Sequence, residues 1–129
     1  MIETIRFSDA EHKKLFQEIL SRMKHNDPYH RSVAYLMALV PMVVEDVFDL
    51  RLSHIKPDGL YAGWQTSSSR KATRLMFNLW NGCCVDQAAE HPEKTSCYYA
   101  VDEILDNYEY FPWFMEAIRI RFEWDLYEE

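Results

Sequence analysis

The chain has 129 residues, 48% of them apolar, with four Trp, eight Tyr and seven Phe. That content supports one core within a single globular domain spanning residues 1–129. It excludes intrinsic disorder in spite of a formal net charge of −7. The longest uncharged run, residues 32–44, is interrupted by Pro41 and falls short of the ~20 apolar residues a membrane-crossing helix needs.

In chain order, the first expected element is a helix opened by a capping box of Ser8 and Glu11. Leu15, Phe16, Ile19, Leu20 and Met23 continue it at helical spacing to about His25. Asn26, Asp27 and Pro28 stop that helix and start a second, since proline is tolerated in a first turn. Val33, Tyr35, Leu36, Met37, Leu39 and Val40 are too densely apolar for a surface helix, which places the second helix centrally. Pro41 breaks it, and a helix resumes over residues 42–50. A long loop with room for a short hairpin over residues 51–64 follows.

A fourth helix starts near Thr66 to Ser69 and stops at Asn81 and Gly82. Residues 83–97 read as a second loop, residues 100–107 as a helix, and Tyr108 to Pro112 as an aromatic turn. A last helix runs from Pro112 to about Trp124. The fold class is therefore all-α: a compact domain of five or six helices with a long central loop.

All three glycines, Gly59, Gly63 and Gly82, fall between Asp58 and Gly82, a stretch with no acid after Asp58. Such clustering suggests that unusual backbone geometry is needed there, and it makes the segment the first candidate site. A helix start with Thr66 and Ser69 hydroxyls, Gln65, and Arg70 and Arg74 one turn apart suits a phosphate or carboxylate, and Trp64 could stack on a base. The same residues also suit a plain serine-capped helix with Trp64 plugging the core. Arg121 lies on the apolar stripe of the last helix, almost above Phe114. It either joins Arg70 or Arg74 around one anion or pairs internally with Asp46, Asp49 or Glu116.

Charge is unevenly spread. Residues 61–80 hold three bases and no acid, whereas residues 81–129 hold twelve acids against three bases. Asp102, Glu103, Asp106 and Glu109 would present a negative row to a basic partner and repel nucleic acid, so direct DNA binding is not expected. Glu45, Asp46 and Asp49 share one helix face and read as solvated. None of His12, His25, His30, His54 and His91 stands at zinc spacing with Cys83, Cys84 or Cys97, so neither a metal nor another cofactor is expected. The odd cysteine number and the mixed, leaderless N-terminus suggest a reducing, cytoplasmic setting without membrane association. The aromatic content permits a homodimer.

Residues 55–66 (IKPDGLYAGWQT), 74–82 (RLMFNLWNG) and 114–121 (FMEAIRIR), with Glu11-His12 and the run Tyr29, His30, Arg31, resemble a family of small proteins. It is a domain-of-unknown-function family of Gram-positive, Clostridia-type bacteria and their phages and mobile elements. Ser67 stands where the family would carry glycine, and Phe122-Glu123 where it tends towards Tyr-Pro. The resemblance implies no activity. It implies context, a small accessory protein of a mobile element.

That context and the acidic last third point first to a binding protein. It would inhibit a host defence nuclease, of anti-CRISPR or anti-restriction type, by occupying the basic nucleic-acid groove. The alternative is a binder of a nucleotide or another anionic small molecule at residues 63–74. A third class, an enzyme acting through Glu45, Asp46, Asp49 or a cysteine, has no catalytic constellation behind it.

Overall fold

The computed structural model describes residues 5–123. Its elements are α1 (Ala10–Ser21), α2 (Pro28–Leu39), α3 (Val44–Val47), β1 (Phe48–Asp49), β2 (His54–Ile55), α4 (Ser67–Asn81), α5 (Val101–Leu105) and α6 (Phe111–Arg121), with 3-10 helices at Pro57–Tyr61 and Pro92–Tyr99. The architecture is all-α with one two-stranded antiparallel ladder that pairs Phe48 with Ile55 and Asp49 with His54.

α2 is the central element. Every residue from Ser32 to Leu39 is buried, because α1, α4 and α6 all pack on it. Val33, Ala34, Tyr35 and Leu36 are wholly excluded from solvent, and each larger apolar side chain so buried contributes about 1.5–3 kcal/mol. The polar groups of Tyr35 and His12 inside this layer are paired. Tyr35 donates its hydroxyl to the Arg6 carbonyl at 2.7 Å. The buried His12 ring donates Nε2–H to the Tyr35 carbonyl at 3.0 Å and accepts at Nδ1 from the Ser8 N–H at 3.1 Å. Burial lowers the His12 pKa, opposed only in part by the Tyr35 bond and by Asp9.

Several elements depart from the sequence reading, each for a local reason. The cap of α1 is Asp9, whose carboxylate accepts the His12 N–H at 2.8 Å, while Ser8 serves the His12 ring. The helix expected over residues 42–50 is one short turn, α3, after which Phe48 is extended. Asp49 ends it by accepting the Arg51 and Leu52 N–H groups on Oδ1 at 3.0 and 2.8 Å, which folds a turn and starts the hairpin. The ladder therefore begins before residue 51. Both expected loops contain 3-10 helices, at Pro57–Tyr61 and Pro92–Tyr99. The last helix, expected to run to about Trp124, ends at Arg121 with Phe122 as its C-cap, and Trp124 itself lies outside the described residues.

α4 follows its local signals closely. Thr66 caps it through a reciprocal box with Ser69, and Gly82 ends it in the left-handed region at φ 79°, a conformation that glycine adopts without a Cβ penalty. No described helix is long and apolar enough to cross a membrane.

Candidate functional site

The glycine-rich segment divides into a sealed part and an open part. Gly59 packs so tightly on α3 that a Cβ there would stand 1.9 Å from the Asp46 carbonyl oxygen. Gly63 meets nothing within 4 Å and has no positive φ. Of the side chains first proposed as donors, most are consumed by the fold. Trp64 is half-buried and donates Nε1–H to Asp46 Oδ2 at 2.8 Å. Gln65 is buried, donating to the Gly59 carbonyl and Thr73 Oγ1 and accepting from Ser69 Oγ. Ser69 Oγ accepts the Thr66 N–H at 2.7 Å, and Thr66 Oγ1 accepts the Ser69 N–H at 3.1 Å. Trp64, Gln65, Thr66 and Ser69 thus fix the entry to α4 and do not line an opening.

The opening lies on the next face of α4. Ser67, Arg70, Lys71 and Arg74 stand at i, i+3, i+4 and i+7, and one helical stripe therefore presents a hydroxyl and three cations. Tyr61, Thr95, Tyr98 and Glu103 complete a cleft of about 490 Å³, within the ordinary range for small-molecule sites. The 3-10 helix Pro57–Tyr61 supplies Tyr61, the 3-10 helix Pro92–Tyr99 supplies Thr95 and Tyr98, and α5 supplies Glu103.

Beneath this cleft sits Asp86, its side chain wholly excluded from solvent. Arg74 reaches it through Nε at 3.1 Å and Nη2 at 2.9 Å. Tyr61 and Tyr99 donate hydroxyls at 2.7 and 2.9 Å, and the Asp86 N–H donates to Thr95 Oγ1 at 2.7 Å. Burial alone would raise the Asp86 pKa. The bonds from Arg74, Tyr61 and Tyr99 outweigh it and hold the carboxyl below its ordinary value. Burial and the Asp86 bond together push the Tyr61 hydroxyl up to about 12, so Tyr61 is a neutral donor at physiological pH. Arg74 also lies 4.5 Å over the Tyr98 ring.

The three cations are not equally available. Arg74 is neutralised by Asp86. Lys71 donates to the Glu103 carbonyl oxygen and lies 3.7 Å from its carboxylate. Arg70 is tethered only through Nε, to the Leu60 carbonyl at 3.2 Å, and its terminal nitrogens meet no hydrogen-bonding partner among the described residues. Arg70 is thus a positioned fork with its recognition edge unspent.

Arg121 takes neither course expected of it. Its Nε donates to the Leu79 carbonyl at 2.8 Å, and its guanidinium lies 3.6 Å over the Tyr29 ring. It therefore does not join Arg70 and Arg74. Glu116 is forked instead by Arg119, at 2.9 and 2.6 Å. Asp102, Glu103, Asp106 and Glu109 are all exposed. Asp102 and Asp106 border a shallow groove with Val101 and Leu105, whereas Glu103 turns towards the α4 cleft.

Sequence reasoning missed Asp86, Tyr61, Lys71, Thr95, Tyr98 and Tyr99. The stripe from Ser67 to Arg74 was readable from spacing. Asp86 had no local signal, because the partners of its carboxylate lie twelve and more residues away in the chain. Among the described residues no group of three or more His, Cys, Asp or Glu is placed to hold a metal ion.

No curated protein and no solved structure matches the chain. Residues 2–129 match the model of DUF6075, a family of unknown function, so the protein with this α4 cleft belongs to that family.

Proposed function

We propose that the protein binds an anionic small molecule, of nucleotide or similar phosphate-bearing class, in the α4 cleft. One observation carries this reading: Arg70 presents its unpaired fork beside Lys71 and the Ser67 hydroxyl, within a cleft braced from below by Asp86. Guanidinium, ammonium and hydroxyl at successive positions of one helix face match the oxygens of a phosphate or carboxylate. The Tyr98 ring offers a flat wall for a planar group. Arg74 serves chiefly as structure, since Asp86 already cancels its charge. The test is a thermal-shift and calorimetric panel of nucleoside phosphates and inorganic phosphate on the native protein and Arg70→Ala. Ligand at a hundred times its Kd stabilises by about 2.7 kcal/mol. A panel without any shift, or equal shifts in both proteins, rejects the reading.

A second reading rests on the other surface. Val101 is 73% exposed and Tyr108 fully so, beside the exposed carboxylates of Asp102, Asp106 and Glu109. Apolar side chains left in water within an acidic field suit a protein partner with a basic surface. An inhibitor of a host defence nuclease, carried by a phage or mobile element, is the class of protein this reading describes. Binding to such a nuclease should weaken steeply as salt is raised and be lost in Asp102→Lys/Asp106→Lys. Salt-independent binding rejects it.

A further inference from the structure

Away from the α4 cleft, three side chains from two separate segments stand in line. Asp27 caps α2, and its Oδ1 accepts the His30 N–H at 3.0 Å. The same oxygen lies 2.9 Å from His30 Nδ1. On the far side of the ring, His30 Nε2 lies 3.0 Å from Ser53 Oγ. With Nδ1–H directed at the carboxylate, Nε2 holds the lone pair and accepts from the Ser53 hydroxyl. Helix capping requires only the first of these three bonds. It explains neither the imidazole on Asp27 nor the hydroxyl on the imidazole.

Ser53 itself is unusual. It is the one non-glycine residue with positive φ, 59°, among the described residues. A side chain held in that sparsely populated region is commonly stabilised by its surroundings for a purpose. Here the β1–β2 turn fixes it: the Ser53 N–H donates to the Asp49 carbonyl at 2.8 Å, and the Asp49 carboxylate holds the two preceding amides. The His30 ring is almost wholly buried and is met edge-on by Trp80 at 4.9 Å, while Ser53 keeps partial exposure.

We propose that Ser53 is an acyl-accepting nucleophile activated by His30 and oriented by Asp27, acting on activated esters. Ser53 Oγ forms a bond to the ester carbonyl carbon while its proton passes to His30 Nε2. The carbon–oxygen bond to the leaving group then breaks, and the imidazolium returns that proton to the departing alkoxide or aryloxide. Water attacks the acyl-serine, His30 takes the water's proton, and the carbon–Oγ bond breaks as Ser53 is reprotonated. Asp27 is a positioning residue that holds the Nδ1–H tautomer and steadies the transient imidazolium. The Arg51, Leu52 and Ser53 amides are all committed to Asp49, so this turn offers no free donor to a developing oxyanion. Such a donor is worth roughly 10²–10³ in rate, which directs the activity to esters with good leaving groups and away from amides.

The experiment is intact-protein mass spectrometry of the full chain with a fluorophosphonate probe, with circular dichroism on every variant. The expected result is one adduct, mapped to Ser53 and absent from Ser53→Gly, in which glycine accommodates the positive φ. His30→Gln should slow modification by roughly 10²-fold or more. Asp27→Asn keeps a good helix cap yet should slow modification comparably and abolish the downfield proton resonance of His30 Nδ1–H. No adduct on the folded native protein overturns the proposal. So does an adduct at another residue, or equal rates in the native, His30→Gln and Asp27→Asn proteins.

Discussion

The Asp86 carboxylate and the Arg74 guanidinium meet through two hydrogen bonds, of 2.9 and 3.1 Å, with the Asp86 side chain wholly out of solvent. A charge so buried is tolerated because it is fully paired, by Arg74, Tyr61 and Tyr99 together. Removal of one partner strands the others. Asp86→Ala should destabilise the fold by about 3–5 kcal/mol, read by chemical denaturation. The acid limb follows from the same bonds. The folded pKa of Asp86 is depressed below 3.8, so its stabilising contribution is present above that value and is lost as pH falls through the folded one. The acid-induced loss of stability below about pH 4 should therefore be shallower in Asp86→Asn than in the native protein.

Gly59 and Gly63 should behave oppositely although both belong to the same cluster. A Cβ at Gly59 would stand 1.9 Å from the Asp46 carbonyl oxygen, and backbone cannot swing away as a flexible side chain can. Gly59→Ala should lower stability by about 1–3 kcal/mol or more through overpacking. Gly63→Ala meets open space and should be neutral or stabilise by about 0.4–1 kcal/mol by reducing unfolded-state freedom. Paired melting curves of the two variants decide it. Equal effects would show that the cluster acts as a unit, against this geometry.

These contrasts show where the sequence was legible. The cap at Thr66, the stop at Gly82 and the central burial of α2 were readable, because each depends on neighbours within one or two turns. The cap of α1 was misplaced by one residue because Ser8 is drawn to the His12 ring, a tertiary demand invisible to a local pattern. The helix expected to Leu50 fails because the Asp49 carboxylate captures two amides. At the candidate site, Arg70 and Arg74 were found from spacing. Their different fates were not, since only the folded chain brings Asp86 under Arg74 and leaves Arg70 open. Arg121 was misread for the same reason: its partners, Leu79 and Tyr29, come from α4 and α2.

His12 supplies a second pH-sensitive element at higher pH. It is buried, both ring nitrogens are bonded in one neutral tautomer, and burial lowers its pKa from 6.5. The unfolded chain therefore binds a proton more readily than the folded one. The stabilising contribution is complete above about pH 6.5 and is lost as pH falls through the folded value. Native stability should decline as pH falls below about 6.5, and His12→Gln should flatten that decline while costing stability at neutral pH. Urea midpoints over this range provide the check, and an unchanged slope in the variant refutes the assignment.

Arg70 and Lys71 separate ligand recognition from fold stability. Arg70→Ala removes a single bond from Nε to Leu60, with a net cost of about 0.5–1.5 kcal/mol in stability. Loss of a charge-assisted contact to a bound phosphate costs about 1.5–3 kcal/mol, which is a drop in affinity of roughly 10- to 150-fold. Lys71→Ala should weaken binding less, because Glu103 already claims part of that charge. Glu103→Gln should strengthen it by removing a repelling carboxylate from the cleft rim and its partial claim on the Lys71 charge, while Lys71 keeps its bond to the main-chain carbonyl of residue 103. Calorimetric titration of the three variants with the strongest-binding nucleoside phosphate gives the order directly. Tighter binding by Glu103→Gln, with Arg70→Ala weakest, places the anion on this face of α4, and the reverse order places it elsewhere.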